Sequence, residues 1–293
     1  MTMHDDEIPV DAELVRTLIL DQYPEAADLP IRQVRSTGTV NAVYRLGDRL
    51  AARIPRVPRW ASDLERELAW LPTLGPRLPL TVPRPVFAGR PSATCPVPWA
   101  VYEWIDGTPY ADEAITDETV AARELAAFIL ELRKFDPTGG PPAGRRPLGE
   151  LDGMTREAIA ASGDLIDAAA ALQAWEAALT GREWTGVPVW IHTDLLRPNL
   201  IARGGHLHAV IDWGGAGIGD PAADVIAAWS VFGVSGRRAF RDHLSVDDDT
   251  WLRARGYALH QAALIIPYYR QTNPAFVASA VRTIREIDSD ATS

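Results

Sequence analysis

Four polar residues in one short stretch raise the question of chemistry. His192, Asp194 and Asn199 fall in the pattern H-x-D-x-x-x-x-N, and Asp212 follows in an Asp-Trp-Gly triplet. Asp194 stands at the end of a predicted strand, Val189 to His192, and a loop braced by Pro198 leads to Asn199. Asn199 opens a predicted hairpin, with strands Asn199 to Ala202 and Leu207 to Trp213 joined at Gly204-Gly205, and its return strand carries Asp212. Two carboxylates and an amide delivered to one pocket supply hard oxygen ligands for Mg²⁺. One carboxylate is then left to orient an attacking hydroxyl. Singly, each residue has an ordinary structural explanation, since an aspartate before a turn is commonly a cap. The joint order is what points to phosphoryl transfer, because protein kinases use the same order, H-R-D-x-x-x-x-N and then D-F-G, for that work.

Such chemistry needs a second group of residues to hold a nucleotide, and the N-terminal half has them. Asp11 is a predicted N-cap for a helix over Ala12 to Asp21. Ile31 to Ser36, Ala42 to Leu46 and Leu50 to Ile54 read as consecutive antiparallel strands, followed by a helix over Trp60 to Leu74 and strands around Val86 and from Trp99 to Ile105. A nucleotide-kinase lobe requires a glycine turn between its first two strands, a cation on the third, and an acid on the next helix. Gly38, with Thr39 and Asn41, lies in the first place and Arg53 in the second. Glu67 is the best partner for Arg53, with Glu65 as the alternative. Arginine keeps the charge of the usual lysine but offers a planar fork to phosphate oxygens.

Composition narrows the field further. Of 29 basic residues only Lys134 is lysine, and Phe135 follows it, so there is no P-loop with its Lys-Ser/Thr pair. One cysteine, Cys95, makes no internal disulfide, which together with the acidic N-terminus leads us to expect a cytoplasmic protein. The longest apolar run, Val225 to Val234, falls short of the roughly 20 residues that span a bilayer. A net charge of −10 argues against nucleic-acid and anionic-membrane partners. After Asp106-Gly107 the chain becomes mainly helical, with helices expected over Asp117 to Lys134, Thr155 to Thr180, Ala222 to Phe232, Gly236 to Leu244, Thr250 to Tyr269 and Ala275 to Asp288. A Gly-, Pro- and Arg-rich surface loop is expected over Asp136 to Pro147. Residues 1–105 hold 13 acidic and 12 basic groups, against 26 and 17 in residues 106–293, so the surplus of acid lies in the helical part.

These motifs together resemble the aminoglycoside phosphotransferase family, which includes macrolide phosphotransferases and related small-molecule kinases. The resemblance rests on His192-Thr193-Asp194 through Asn199, on Ile211-Asp212-Trp213, and on Gly219-Asp220-Pro221 with Asp224, and it spans about Ser36 to Trp229. It implies an α+β, bilobal protein-kinase-like fold, with a small antiparallel-sheet nucleotide lobe (residues 1–105) and a larger, mainly helical catalytic and substrate lobe (residues 106–293). It also implies Asp194 as catalytic base, Asn199 and Asp212 as Mg²⁺ ligands, and Tyr102, Glu103 and Trp104 as the strand that meets the purine through backbone groups. The family usually has glycine at Thr193 and lysine at Arg53.

Competing motifs fail on placement. Gly217-x-Gly219-x-x-Ala222 has the form of a dinucleotide fingerprint, but Asp220 would set a carboxylate against the pyrophosphate. Asp220 and Asp224 read as structural, and His206 and His208 as surface residues beside a turn. Trp213 and Trp229 are the tryptophans close enough in sequence to the site to stack on a ligand. The expected activity is transfer of the γ-phosphoryl group of ATP or GTP to a hydroxyl of a cationic, hydroxylated small molecule of the aminoglycoside type. The alternatives are a macrolide or other hydroxylated-metabolite kinase, and a catalytically silent nucleotide-binding module.

Overall fold

The computed structural model describes residues 7–34 and 40–291. The chain divides into two compact units. One comprises residues 1–107 with 209–214, and the other comprises 108–208 with 215–293.

The first unit begins with helix α1 (Ala12–Gln22), whose N-cap Asp11 accepts a hydrogen bond from Leu14 N. A five-stranded antiparallel sheet follows, formed by β1 (Ile31–Gln33), β2 (Asn41–Leu46), β3 (Leu50–Pro55), β4 (Pro85–Gly89) and β5 (Trp99–Glu103), in the order β1-β2-β3-β5-β4. Helix α2 (Ala61–Leu74) lies in sequence between β3 and β4. Alternation along the strands sends Ala42, Tyr44 and Leu46 of β2 and Ala52 and Ile54 of β3 into a core with Val15, Leu18 and Ile19 of α1. The registers Val43↔Arg53 and Arg53↔Ala100 leave Asn41, Arg53 and Tyr102 on the opposite face. Ser36, Gly38 and Thr39 lie outside the described residues.

The second unit begins with β6 (Thr108–Pro109) and continues through α3 (Glu118–Leu132), α4 (Leu148–Ala161), α5 (Ala168–Leu179) and β7 (Val189–Ile191). Strands β8 (Leu200–Arg203) and β9 (His206–Val210) form the hairpin, with Gly204 and Gly205 both at positive φ, as a two-residue turn of this hand requires. The chain passes into the first unit within β9 and returns at Gly215. Strand β10 (Gly217–Gly219) pairs with β7, and the helices α6 (Ala222–Val225), α7 (Ala227–Ser230), α8 (Val234–Leu244), α9 (Asp248–Tyr269) and α10 (Pro274–Ala291) complete it. Among the described residues no helix is long and apolar enough to cross a membrane.

Three expectations differ in detail. The return strand expected over Leu207 to Trp213 ends at Val210, so Asp212 follows the strand, at positive φ, and does not lie on it. The helix expected over Thr155 to Thr180 is two, because the chain breaks at Ser162-Gly163 and restarts at Asp167, whose carboxylate caps Ala169 N and Ala170 N. The run Ala222 to Phe232 is likewise two short helices, α6 and α7.

Candidate active site

Within the first unit, one buried carboxylate gathers a cluster. Glu67, on the face of α2 that the sheet covers, is 2% exposed. Its Oε2 accepts from Arg53 Nη1 at 2.7 Å and from the Tyr102 hydroxyl at 2.9 Å, while Oε1 accepts from Trp213 N at 2.7 Å. Arg53 also lies over the Tyr102 ring, 5.1 Å from its centroid, and its Nη2 is 3.7 Å from Asp212 Oδ1. Burial works against the Arg53 charge, yet Glu67, with Tyr102 and Asp212, more than offsets it and raises its pKa. Burial and then Glu67 hold the Tyr102 phenol well above its ordinary value, so it remains a donor. Asp212 has φ +68°, a backbone state that non-glycine residues adopt at a cost. Gly214 follows because a Cβ there would stand 2.7 Å from Asp63 Cβ on α2.

The second unit builds the other cluster around Asp194. The Asp224 carboxylate accepts from His192 N at 3.0 Å and Thr193 N at 2.8 Å, and Asp194 N donates to His192 Nδ1 at 3.3 Å. These bonds fix the loop before the Asp194 side chain. Thr193 sits at φ +75°, with its hydroxyl donating to Gly215 O. Glycine takes that conformation without strain, which is the physical reason for the family's glycine at this place. Asp194 Oδ2 accepts from Asn199 Nδ2 at 2.7 Å, and Oδ1 accepts from Gln261 Nε2 of α9 at 2.7 Å. Gln261 is itself held by Arg145 Nη2, which donates to its Oε1 at 2.7 Å and to Thr193 O at 3.2 Å. Burial raises the Asp194 pKa, and Gln261, Arg145 and Asn199 oppose that rise. The result is a half-buried carboxylate with fixed orientation, suited to receiving a proton from a hydroxyl.

The sequence model of the phosphotransferase enzyme family matches residues 31–257. The chain belongs to that family. Comparison with curated proteins finds no match. Among solved structures, this phosphotransferase is similar to APH(2″)-IIia with GDP and kanamycin, at 20% identity over 94% of this chain and 98% of that one, with a TM-score of 0.73. It is also similar to APH(2″)-IIa with streptomycin and ATP (15% identity, 94% and 99% coverage, TM-score 0.60). A third is macrolide 2′-phosphotransferase MphH from Brachybacterium faecium (22% identity, 94% and 98% coverage, TM-score 0.59). At these identities the likeness is one of fold, a protein-kinase-like antiparallel-sheet region followed by a helical region.

The phosphotransferase thus brings Arg53, Glu67, Tyr102 and Asp212 together in one cluster and Asp194 with Asn199 in another. Asn41 lies on the Arg53 face of the sheet, while Gly38 and Thr39 lie outside the described residues. In the Tyr102–Trp104 strand, Glu103 N donates to Arg84 O and Trp104 N to Arg49 O, so both amides are committed to neighbouring carbonyls. Trp213 and Trp229 are core residues, 1% and 0% exposed, and neither presents a face for stacking. Gln261 and Arg145 escaped the sequence reading. Gln261 sits in a helical run with no local signal, and Arg145 belongs to the loop expected to lie on the surface.

The donor chemistry fits Mg²⁺. Both bonds of Asn199 to Asp194 use Nδ2, so neither occupies Oδ1, and Asp212 presents a partly exposed carboxylate. Among the described residues no three His, Cys, Asp or Glu side chains form a cage. Mg²⁺ characteristically takes one or two carboxylates and completes its shell with water and substrate phosphates.

Proposed function

We propose that this phosphotransferase moves the γ-phosphoryl group of ATP or GTP to a hydroxyl of a small molecule. The observation that carries the reading is the Asp194 carboxylate, half-buried and aimed by Asn199 and Gln261. Asp194 orients the acceptor hydroxyl and takes its proton as the oxygen attacks phosphorus. Arg53, fixed by Glu67, binds phosphate oxygens of the donor through its fork. Asn199 and Asp212 are the residues that would hold Mg²⁺, which when bound supplies charge neutralisation at the phosphates. The purine meets the Tyr102–Trp104 strand through groups other than the Glu103 and Trp104 amides. Nucleotides named with the structural neighbours, GDP and ATP, support either donor.

For the acceptor, the kanamycin and streptomycin named with two neighbours and the acid-rich helical part support a polycationic aminoglycoside.

The test is phosphate incorporation from ATP and from GTP over a panel of aminoglycosides, macrolides and small amino alcohols, with Asp194→Ala as control. Turnover on at least one acceptor that falls by about a thousandfold or more in the variant is expected. Undiminished turnover in Asp194→Ala removes the assignment of the base, and nucleotide binding without turnover on any acceptor favours a silent binding module. Arg53→Lys is expected to keep nucleotide binding with lower affinity, as read by nucleotide titration, since the charge survives but the fork does not.

A further inference from the structure

Away from both clusters, helices α8, α9 and α10 wall a cavity of about 380 Å³. Val234, Arg237, Arg238 and Arg241 reach it from one face of α8, at the spacing of three, four and seven residues that a helix requires. Trp251 and Arg255, four apart on α9, and Asp290 of α10 complete the lining. None of these residues belongs to the catalytic loop or to the arginine cluster on Glu67.

Four guanidiniums face one carboxylate in this wall. Two of them are engaged. Arg237 donates to Glu286 O at 2.6 Å and Glu286 Oε2 at 2.7 Å, and Arg241 lies over the Trp251 ring at 4.7 Å with Nη2 2.5 Å from Asp248 Oδ1. Asp290 is engaged in turn, accepting from Trp229 Nε1 at 3.1 Å. Counting Glu286 and Asp248 with Asp290, the cluster still carries net positive charge. Arg238 and Arg255 form no ion pair or hydrogen bond among the described residues, and the buried Nε of Arg255 has no partner. Buried, unpartnered guanidinium nitrogen costs stability unless a ligand satisfies it, and this chain has acids in excess elsewhere that could have done so. A cavity of this size exceeds what one phosphate ion fills and falls in the range of about 300–1,000 Å³ typical of small organic ligands.

We propose that this cavity is a binding site for a small organic phosphate, held at its phosphate by Arg238 and Arg255 and at its organic part by Val234 and Trp251. Guanidinium forks match phosphate oxygens in geometry as well as charge. The site is separate from the nucleotide site and does not depend on the acceptor assignment.

Calorimetric titration with glycerol 3-phosphate, at ionic strength fixed with NaCl, tests it in the full-length protein, in Arg238→Gln, in Arg255→Gln and in Arg53→Gln. Saturable binding is expected in the parent and in Arg53→Gln, weakened by about tenfold or more in each of the other two, the loss of one charge-assisted hydrogen bond. Arg238 is exposed, so its variant remains informative even where Arg255→Gln does not fold. Absence of saturable binding overturns the proposal. So does binding as tight in Arg238→Gln as in the parent, or binding that vanishes in Arg53→Gln, which would put the ligand on the Glu67-bound arginine. A parallel titration with inorganic phosphate is expected to bind more weakly, and equal affinity would overturn the assignment to an ester.

Discussion

At Asp194, burial and hydrogen bonding act in opposite senses on one carboxyl group. Burial raises its pKa, and the amide of Gln261 is the foremost influence restraining the rise. Removing that amide should therefore raise the pKa further. Gln261→Leu is expected to move the acidic limb of the kcat/KM profile to higher pH, because the base must be deprotonated to accept a proton; a profile unchanged in position would show that Gln261 does not act through Asp194. At Thr193 the left-handed backbone and the Gly215 hydrogen bond also oppose one another. Thr193→Gly relieves the first, loses the second and adds chain entropy, so denaturant unfolding should find a change within about 1 kcal/mol. The sequence displayed Asp194, Asn199 and Asp212 because the proposed chemistry needs fixed types at fixed spacing. It concealed Gln261 and Arg145, whose contribution depends on which helix face and which loop arrive beside the carboxylate.

Among the elements, α2 and α9 carry the most consequence. Alternation and helical period made the five-stranded sheet and α2 legible, down to Arg53 opposite Glu67. Breaks at Ser162 and within 222–230 were hidden because alanine-rich runs read as continuous helix whatever tertiary packing does to them. Glu67 of α2 serves three donors, so Glu67→Ala leaves the partly buried Arg53 beside no carboxylate of comparable closeness. Equilibrium unfolding should show a loss of about 3–5 kcal/mol, and Glu67→Gln a smaller one, since it retains hydrogen bonding but not charge. Helix α9 supplies His260 next to Gln261, with Nδ1 2.8 Å from Thr155 Oγ1. Burial, reinforced by Arg145 and Arg146, pushes its pKa down to about 4. The unfolded chain takes up this proton near pH 6.5 and the folded chain only near pH 4, so stability should fall as pH drops through that window. His260→Gln should flatten that part of a stability-against-pH curve.

For the molecule as a whole, the surplus of acid in a chain of net charge −10 makes the arginine-walled cavity between α8, α9 and α10 an exception to its surroundings. The division into units has a different consequence. The first unit is discontinuous, taking residues 209–214 from the far side of the chain. Its central carboxylate, Glu67, bonds to Trp213 N across 146 positions of sequence. Sheet and helix can form from the first hundred residues, yet the arginine cluster is complete only when the segment after β9 has been synthesised and has closed that long loop. A chain emerging from the ribosome would therefore acquire its β structure well before Glu67 has all three of its donors. During refolding, far-UV dichroism should recover ahead of binding of a fluorescent nucleotide.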